Sequence, residues 1–413
     1  MTAVAPEKRK AALAFIFVVA VMDILSMGLV IPVLPPLIEQ FTGSPGSAGI
    51  WNGVLVALWA GMQFLASPVI GSLSDQYGRR PVILISCVGL ALDWVLMALA
   101  PNLWWLVVGR LLGGLTSSSF TTVYAYMADI TAPEHRARAY GLIGAAFGGG
   151  FVIGPALGGL LGEFGPRTPF WVAAVLSGLT ALYGWFVLPE SLPPEKRMTF
   201  SWARANPFGA MKLLGRHREL TGLAGVNFLL YFAHHVFSAV FVLYAAHRYG
   251  WGPGLVGLVL AFAGVLDMIV QGVLVGPLVK RFGDRAIMVV GLFGGALGLV
   301  AMGLAPLGWI FFLTMLPNAL WGLAMPTLQS LMTRRVGDDE QGQLQGANMS
   351  VASIAGVASP LFFGWVYSIS VGQGAPVPHP GAAFVIAAGV LLLAAVIGAV
   401  TNRRAEREES ATV

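Results

Sequence analysis

Three carboxylates and one guanidinium lie inside stretches otherwise suited to a lipid interior. Asp23 sits in VVAVMDILSMG, an apolar run that opens at Ala11 and meets its next charge only at Glu39. Asp93 lies in LALDWVLMALA, Arg110 in LVVGRLLGGL and Asp267 in FAGVLDMIVQG. A charge at the centre of a membrane helix costs about 2.5–3.5 kcal/mol on insertion scales. The chemistry that uses such groups is proton and cation handling. A carboxyl group removed from water favours its protonated form, and a nearby guanidinium favours the ionised form. A carboxylate moved between those settings loads a proton and releases it again. At 1.5 Å per residue, Asp23, Asp93, Arg110 and Asp267 fall about 20, 18, 19 and 17 Å from the same face of the membrane, in one layer. The alternative for each acid is a structural anchor, satisfied by a backbone carbonyl or a Ser/Thr hydroxyl. Arg110 can equally serve to fix helix packing.

The elements that hold these groups follow from composition. Of 413 residues, 57% are hydrophobic and 10% charged, against about 25% charged in a soluble domain. The chain therefore reads as an all-α integral membrane protein. Its 53 glycines suit helices that pack through small residues. The one cysteine, Cys87, falls in an expected span and supports no disulfide framework. Twelve segments approach or exceed the roughly 20 apolar residues needed to cross a bilayer: residues 11–38, 48–70, 81–100, 103–126, 138–163, 169–188, 219–247, 254–278, 286–306, 308–332, 343–369 and 381–402. MTAVAPEKRK leads into a first run long enough to stay in the bilayer, without a cleavage site closing a short apolar core. The organisation expected is a six-helix bundle over 1–188, a Pro-rich basic cytoplasmic linker over 189–218, and a second six-helix bundle with a short tail over 219–413.

Of 24 Lys and Arg, all but Arg110, Arg167 and Arg248 fall in the termini or the even-numbered loops. By the positive-inside rule both termini and the linker are cytoplasmic. The net charge of +5 is thus a topology signal spread over short loops, and no nucleic-acid partner is expected.

The halves repeat. GSLSDQYGRRP at Gly71 recurs as GPLVKRFGDRA at Gly276, an offset of 205. Ala100-Pro101, Gly141, Pro155 and Gly159 recur as Ala305-Pro306, Gly346, Pro360 and Gly364 at that same offset. An even number of helices per unit makes this a parallel duplication, two pseudo-symmetric bundles about an axis along the membrane normal.

The repeated loop reads as a cytoplasmic gate. Asp75, Arg79 and Arg80 lie on that face, and Asp129 is placed to pair with Arg79 or Arg80. Asp75 matches Lys280 and Asp129 matches Arg334, a sign inversion that suggests charge complementarity between the halves. The alternative is that the loops only set topology. That leaves the acids unexplained, because the positive-inside rule is largely indifferent to them.

In GGGFVIGPALGG, Gly154, Pro155, Gly158 and Gly159 let span five pack tightly and bend, as a rocking interface or as ordinary small-residue packing. NFLLYFAHHVF sets Asn227, Tyr231 and His234 on one helix face. His234 could titrate near neutral pH or serve as polar packing. Its neighbour His235 points elsewhere, so no metal pair is expected. Trp59, Phe64, Trp94, Trp321 and Met325 are candidates for an apolar pocket, or for lipid-facing and core positions.

These stretches resemble the major facilitator superfamily, whose signature loop matches at Gly71, Asp75, Gly78, Arg79 and Arg80. GRLLGGL resembles its fourth-span arginine motif, and GGGFVIGPALGG its fifth-span antiporter motif. The implied fold is the twelve-helix major facilitator fold. More narrowly, MGLVIPVLPPL, GVLVALWAGMQFLASPVIGSLSDQYGRRPV and LALDWVLMALAPNLWWLVVGRLLGGLT resemble tetracycline/proton antiporters. That resemblance implies functional roles for Asp23, Gln63, Asp75, Asp93, Arg110 and Asp129. Those exporters carry a histidine and, four residues on, a glutamine in span eight, where this chain has Asp267 and Gln271. Their ninth-span aspartate has no acidic counterpart in GLFGGALG.

The expected function is proton-coupled export of amphipathic drugs, tetracycline-like or of many kinds, across a bacterial inner membrane by alternating access. Asp23, Asp93 and Arg110 would couple protons. Trp59, Gln63, Asn227, Tyr231, His234, Asp267 and Gln271 would contact the substrate. The alternative is a symporter importing a small metabolite, for which the sequence offers few polar contacts. No H-E-x-x-H, G-x-S-x-G or P-loop suggests an enzyme or ATP drive. No cofactor is expected beyond protons as coupling ion, the substrate being a small molecule or its Mg chelate. Membrane lipids are the other expected partner, and a monomer the expected working form.

Overall fold

The computed structural model describes residues 6–117, 120–131, 135–202, 205–215, 218–337, 340–372 and 374–411. Among them every regular element is a helix, and each of the twelve expected spans is occupied by one helix or by successive helical stretches. Span one is α1 (Pro6–Val30) and α2 (Leu34–Thr42). Pro32 supplies no N–H, and the chain turns there, with Ile31 N–H donating to Gly28 O at 3.3 Å. Spans two and three are α3 (Pro45–Tyr77) and α4 (Arg79–Leu99). Span four is α5 (Leu103–Thr116) and α6 (Phe120–Ile130), and spans five and six are α7 (Arg136–Gly162) and α8 (Thr168–Val187). The linker holds two 3-10 stretches, Pro194–Lys196 and Gly209–Gly215.

Span seven is α9 (Arg218–His234) and α10 (Val242–Tyr249), joined across a π-helical stretch, Phe237–Phe241. α11 (Pro253–Ile269) runs through a second π stretch, Val270–Leu274, into α12 (Val275–Leu304). α13 (Gly308–Ala319), a 3-10 stretch at Leu320–Leu323 and α14 (Ala324–Thr333) form span ten, and α15 (Gln341–Ser368) and α16 (Ala382–Ala411) complete the chain. Nine stretches among the described residues are long and apolar enough to cross a bilayer. One of them, Pro253–Leu304, has 52 residues and so covers two spans.

Gly78 and Gly283, equivalent in the repeat, have φ of +105° and +79°. Only glycine takes such values without strain, so each breaks the helix at the same point of its half and lets the next span begin. α3 extends to Tyr77, well beyond the residue 70 expected: Pro68 lies inside it without ending it, and the helix stops only at Gly78.

The chain divides into two compact units. Unit 1 comprises Met1–Phe41, Leu58–Pro207 and Gly252–Ala261; unit 2 comprises Thr42–Ala57, Phe208–Trp251 and Phe262–Val413. The expected bundles ran continuously over 1–188 and 219–413. Each unit instead incorporates a short segment from the other half of the sequence, because α3 and α11 each contribute their opening turns to a different unit from the rest of the helix. The core of unit 1 gathers Phe15, Ile16, Val19, Cys87, Tyr126 and Met127. In unit 2, Val270, Ile287 and Leu323 form a buried cluster, and Phe241 stacks on Phe311 at 5.7 Å. Trp104, Phe186 and Trp309 stay exposed, as side chains facing lipid would.

Candidate functional site

α4 and α5 bring Asp93 and Arg110 together inside unit 1. Asp93 is fully buried and Arg110 is 8% exposed. Oδ2 of Asp93 lies 4.0 Å from Nη2 of Arg110. Neither carboxylate oxygen accepts a hydrogen bond, and Nε and Nη2 of Arg110 donate none, among the described residues. The guanidinium also lies over the Trp94 ring, 5.5 Å from its centroid. Glycines make the room: a Cβ on Gly109 would stand 2.9 Å from Asp93 Oδ1, and one on Gly113 would run into Oδ2. Trp59 borders this pair, its Cδ1 3.6 Å from where a Gly113 Cβ would be, and α3 passes Gly114 at backbone contact beside Gln63. Two of the expected substrate residues thus belong to unit 1, near the charge pair.

Asp23, 5% exposed, has an Oδ1 without a hydrogen-bond partner among the described residues. No ion pair joins it to Arg110 there; Arg110 takes Asp93 instead. Asp23 precedes the segment of α1 that packs on the glycines of α7. Cβ atoms on Gly150, Gly154 and Gly158 would collide with Ile24, Gly28 and Leu29 respectively. Pro155 and Gly159 face the opening turns of α11, where Gly257 and Pro253 lie at backbone contact. The fifth-span motif therefore serves two interfaces, Gly154 and Gly158 on α1, Pro155 and Gly159 on α11. Beyond it, Glu163 Oε1 accepts from Gly254 N–H at 2.8 Å and caps α11, a favourable place for a carboxylate.

The loop residues also assemble within unit 1. Arg79 pairs with Asp75 at 2.7 Å and with Asp129 at 3.3 Å. Arg80 does not take Asp129; its Nη2 donates to Trp185 O at 2.7 Å. The backbone N–H groups of Arg79 and Arg80 donate to Glu190, at 2.8 and 3.3 Å, which satisfies the start of α4. In unit 2, Arg334 pairs with Asp284 at 2.8 Å. Arg79 and Asp129 correspond to Asp284 and Arg334 by the repeat, so both halves keep the ion pair and exchange its signs. Asp75, Asp129 and Arg334 thus each find an opposite charge within their own unit.

Unit 2 carries the other polar group. Gln271, in the π stretch after α11, donates to Asp267 Oδ2 at 2.7 Å. Gly322, in the 3-10 stretch between α13 and α14, leaves room for that carboxylate: a Cβ there would stand 2.5 Å from Oδ1. Nearby, Asn227, Tyr231 and Gln271 help line a cavity of about 270 Å³. His234 does not share it; its ring packs against Trp321 at 5.5 Å. Seven residues along α9 carry it about 10 Å past Asn227, beyond the cavity.

Several residues here were not singled out from the sequence. Asp284 was legible as the repeat partner of Arg79. Gln329, Gln345 and Asn348, which also line the cavity, carried the signal of polar side chains in or beside apolar helices. Glu190 and Glu163 had none, since each acts on backbone groups far away in the sequence.

A family model of the Major Facilitator Superfamily matches residues 16–360 and 223–412. The chain is 39% identical over 363 residues to the class C tetracycline resistance protein of Escherichia coli, covering 88% of this chain and 91% of that one. It is 37% identical to the class G tetracycline resistance protein of Vibrio anguillarum, over 85% of this chain and 89% of the other. Among solved structures, a bacterial homologue of the human lysosomal transporter Spinster matches with a TM-score of 0.77 over 97% of this chain and 98% of its own, at 16% identity, a likeness of fold. A superfamily match across both halves, together with close relatives aligned over most of their length, identifies the chain as a member of the major facilitator superfamily, within the family of the tetracycline resistance proteins, and hence as a multi-pass membrane transporter rather than an enzyme.

Proposed function

We propose that the chain exports amphipathic compounds of the tetracycline type across the bacterial inner membrane, each exchanged for protons by alternating access. The observation that carries this reading is the Asp93–Arg110 pair: buried, 4.0 Å apart and without a mutual hydrogen bond. Removing a charge partner from a buried pair normally costs several kcal/mol. A loosely held pair lowers that barrier, because protonating Asp93 forfeits Coulomb attraction but no hydrogen bond. Asp23, buried without a hydrogen bond to Oδ1, is the second proton group in the same unit.

Substrate recognition falls to Asp267 and Gln271 and to the cavity beside them, where a carboxylate can meet a cationic drug or its Mg chelate. Arg79, Asp75 and Asp129 act on the cytoplasmic face, whose assignment rests on the distribution of Lys and Arg. The relatives' name, tetracycline resistance protein, supports the choice of substrate class.

The test uses purified protein in liposomes with an acid lumen. Tetracycline should accumulate inside beyond the level in protein-free liposomes, and an uncoupler should abolish the difference. Accumulation that survives the uncoupler would remove proton exchange from this reading.

A further inference from the structure

The cavity in unit 2 is lined by more carboxamides than the substrate contacts named so far. Asn227 on α9, Gln271 after α11, Gln329 on α14, and Gln345 and Asn348 on α15 all face it. Three of them form a row. Asn348 Nδ2 donates to Gln329 Oε1 at 3.5 Å, and Gln329 Nε2 donates to Gln345 Oε1 at 2.5 Å. Asn227 Nδ2 supports the row by donating to the backbone carbonyl of Asn348 at 3.4 Å.

Asn348 is 6% exposed, and its Oδ1 has no hydrogen-bond partner among the described residues. An unpaired buried carbonyl oxygen is costly, and this one lies on a cavity wall, where a ligand can reach it. None of the cavity-lining residues is charged, and Met325 and Met349 add polarizable apolar surface. At about 270 Å³ the space falls just below the roughly 300–1,000 Å³ of drug-sized pockets, so it suits one edge of such a ligand.

We infer that the row Asn348–Gln329–Gln345 is a substrate subsite, selecting an uncharged ligand edge that carries neighbouring hydroxyl and carbonyl groups over a flat apolar body. Each carboxamide offers both donors and acceptors, so a row of them matches alternating groups on a ligand. Asn348 Oδ1 accepts from a ligand hydroxyl or amide. A delocalised organic cation finds no counter-charge on this wall and does not depend on the row. The inference rests on the export reading above and specifies which side chains hold the polar edge of its substrate.

The test compares equilibrium binding of tetracycline and of tetraphenylphosphonium to purified wild type, Gln329→Leu, Gln345→Leu, Asn348→Leu and Asn348→Asp. Gln329 and Gln345 are accessible from the cavity, so their leucine variants test the row even if Asn348→Leu fails to fold. Both should weaken tetracycline binding about tenfold and leave tetraphenylphosphonium within twofold. Asn348→Asp, which keeps an acceptor oxygen, should bind tetracycline better than Asn348→Leu. Unchanged tetracycline affinity in folded Gln329→Leu and Gln345→Leu overturns the subsite, as does equal loss for both probes. Export by wild type in liposomes is scored separately: its presence with unchanged variants removes only the subsite, whereas wild type that neither binds nor moves tetracycline removes both.

Discussion

Asp93 and Arg110 face each other 4.0 Å apart between α4 and α5, in a space that exists because positions 109 and 113 are glycine. The pair is attracted by charge and left without a direct hydrogen bond. Gly113→Ala would push its methyl into Asp93 Oδ2. Overpacking of this kind costs about 1–3 kcal/mol. The variant should fold, elute like wild type in detergent, and lose at least tenfold in pH-driven tetracycline exchange. Wild-type exchange in that variant would show that the carboxylate position is not critical.

The α1–α7 contact makes a sharper distinction among the glycines of one helix. At Gly158 an added Cβ would meet the Leu29 carbonyl, while at Gly149 it would meet nothing within 4 Å. Gly149→Ala should therefore raise thermal stability, by up to about 1 kcal/mol from helix propensity. Gly158→Ala should lower the melting temperature and the transport rate together. Melting curves of the two purified variants decide this.

The two related ion pairs should differ in weight. Arg79 is about 10% exposed and holds both Asp75 and Asp129, whereas Arg334 is 69% exposed and, among the described residues, holds Asp284. Arg79→Ala leaves two carboxylates facing each other without their cation and should cost about 1.5–3 kcal/mol. Arg334→Ala should cost less, since solvent already screens the guanidinium, though it leaves the carboxylate of Asp284, only 6% exposed, without its cation. A reversed order in thermal stability would refute the comparison.

Glu163 caps α11 through Gly254 N–H. Loss of an N-terminal cap costs about 0.5–2 kcal/mol. Glu163→Ala should be destabilised within that range, and Glu163→Gln, which keeps an acceptor oxygen, should recover most of it. Equal loss in both variants would place the effect in charge rather than in the hydrogen bond.

The twelve spans were legible because twenty apolar residues in a row have few other uses, and the duplication because Gly71, Pro155 and Gly159 recur at one offset. What escaped were relations between distant segments. Hydropathy could place Asp23 and Asp93 at one depth, but only packing reveals that Arg110 takes Asp93 while Asp23 precedes the α1 segment that meets the α7 glycines. The reach of α9 put His234 beyond the cavity that Asn227 and Tyr231 line. The opening turns of α3 and α11 belong to different units from their remaining turns because glycine-on-glycine contacts, Gly53 on Gly364 and Gly257 on Gly159, hold them there. No local pattern marks which glycine meets which.

The most direct test of the account is proton release from liposomes with an acid lumen, triggered by external tetracycline and read with a pH-sensitive dye. Wild type should release protons as tetracycline enters. Asp93→Asn should bind tetracycline within a fewfold of wild type, because the substrate contacts assigned to unit 2 are intact, and should release no protons on its addition. Asp23→Asn should be impaired in the same direction. If Asp93→Asn and Asp23→Asn both release protons at the wild-type rate, the buried carboxylates do not couple transport and the central claim is wrong.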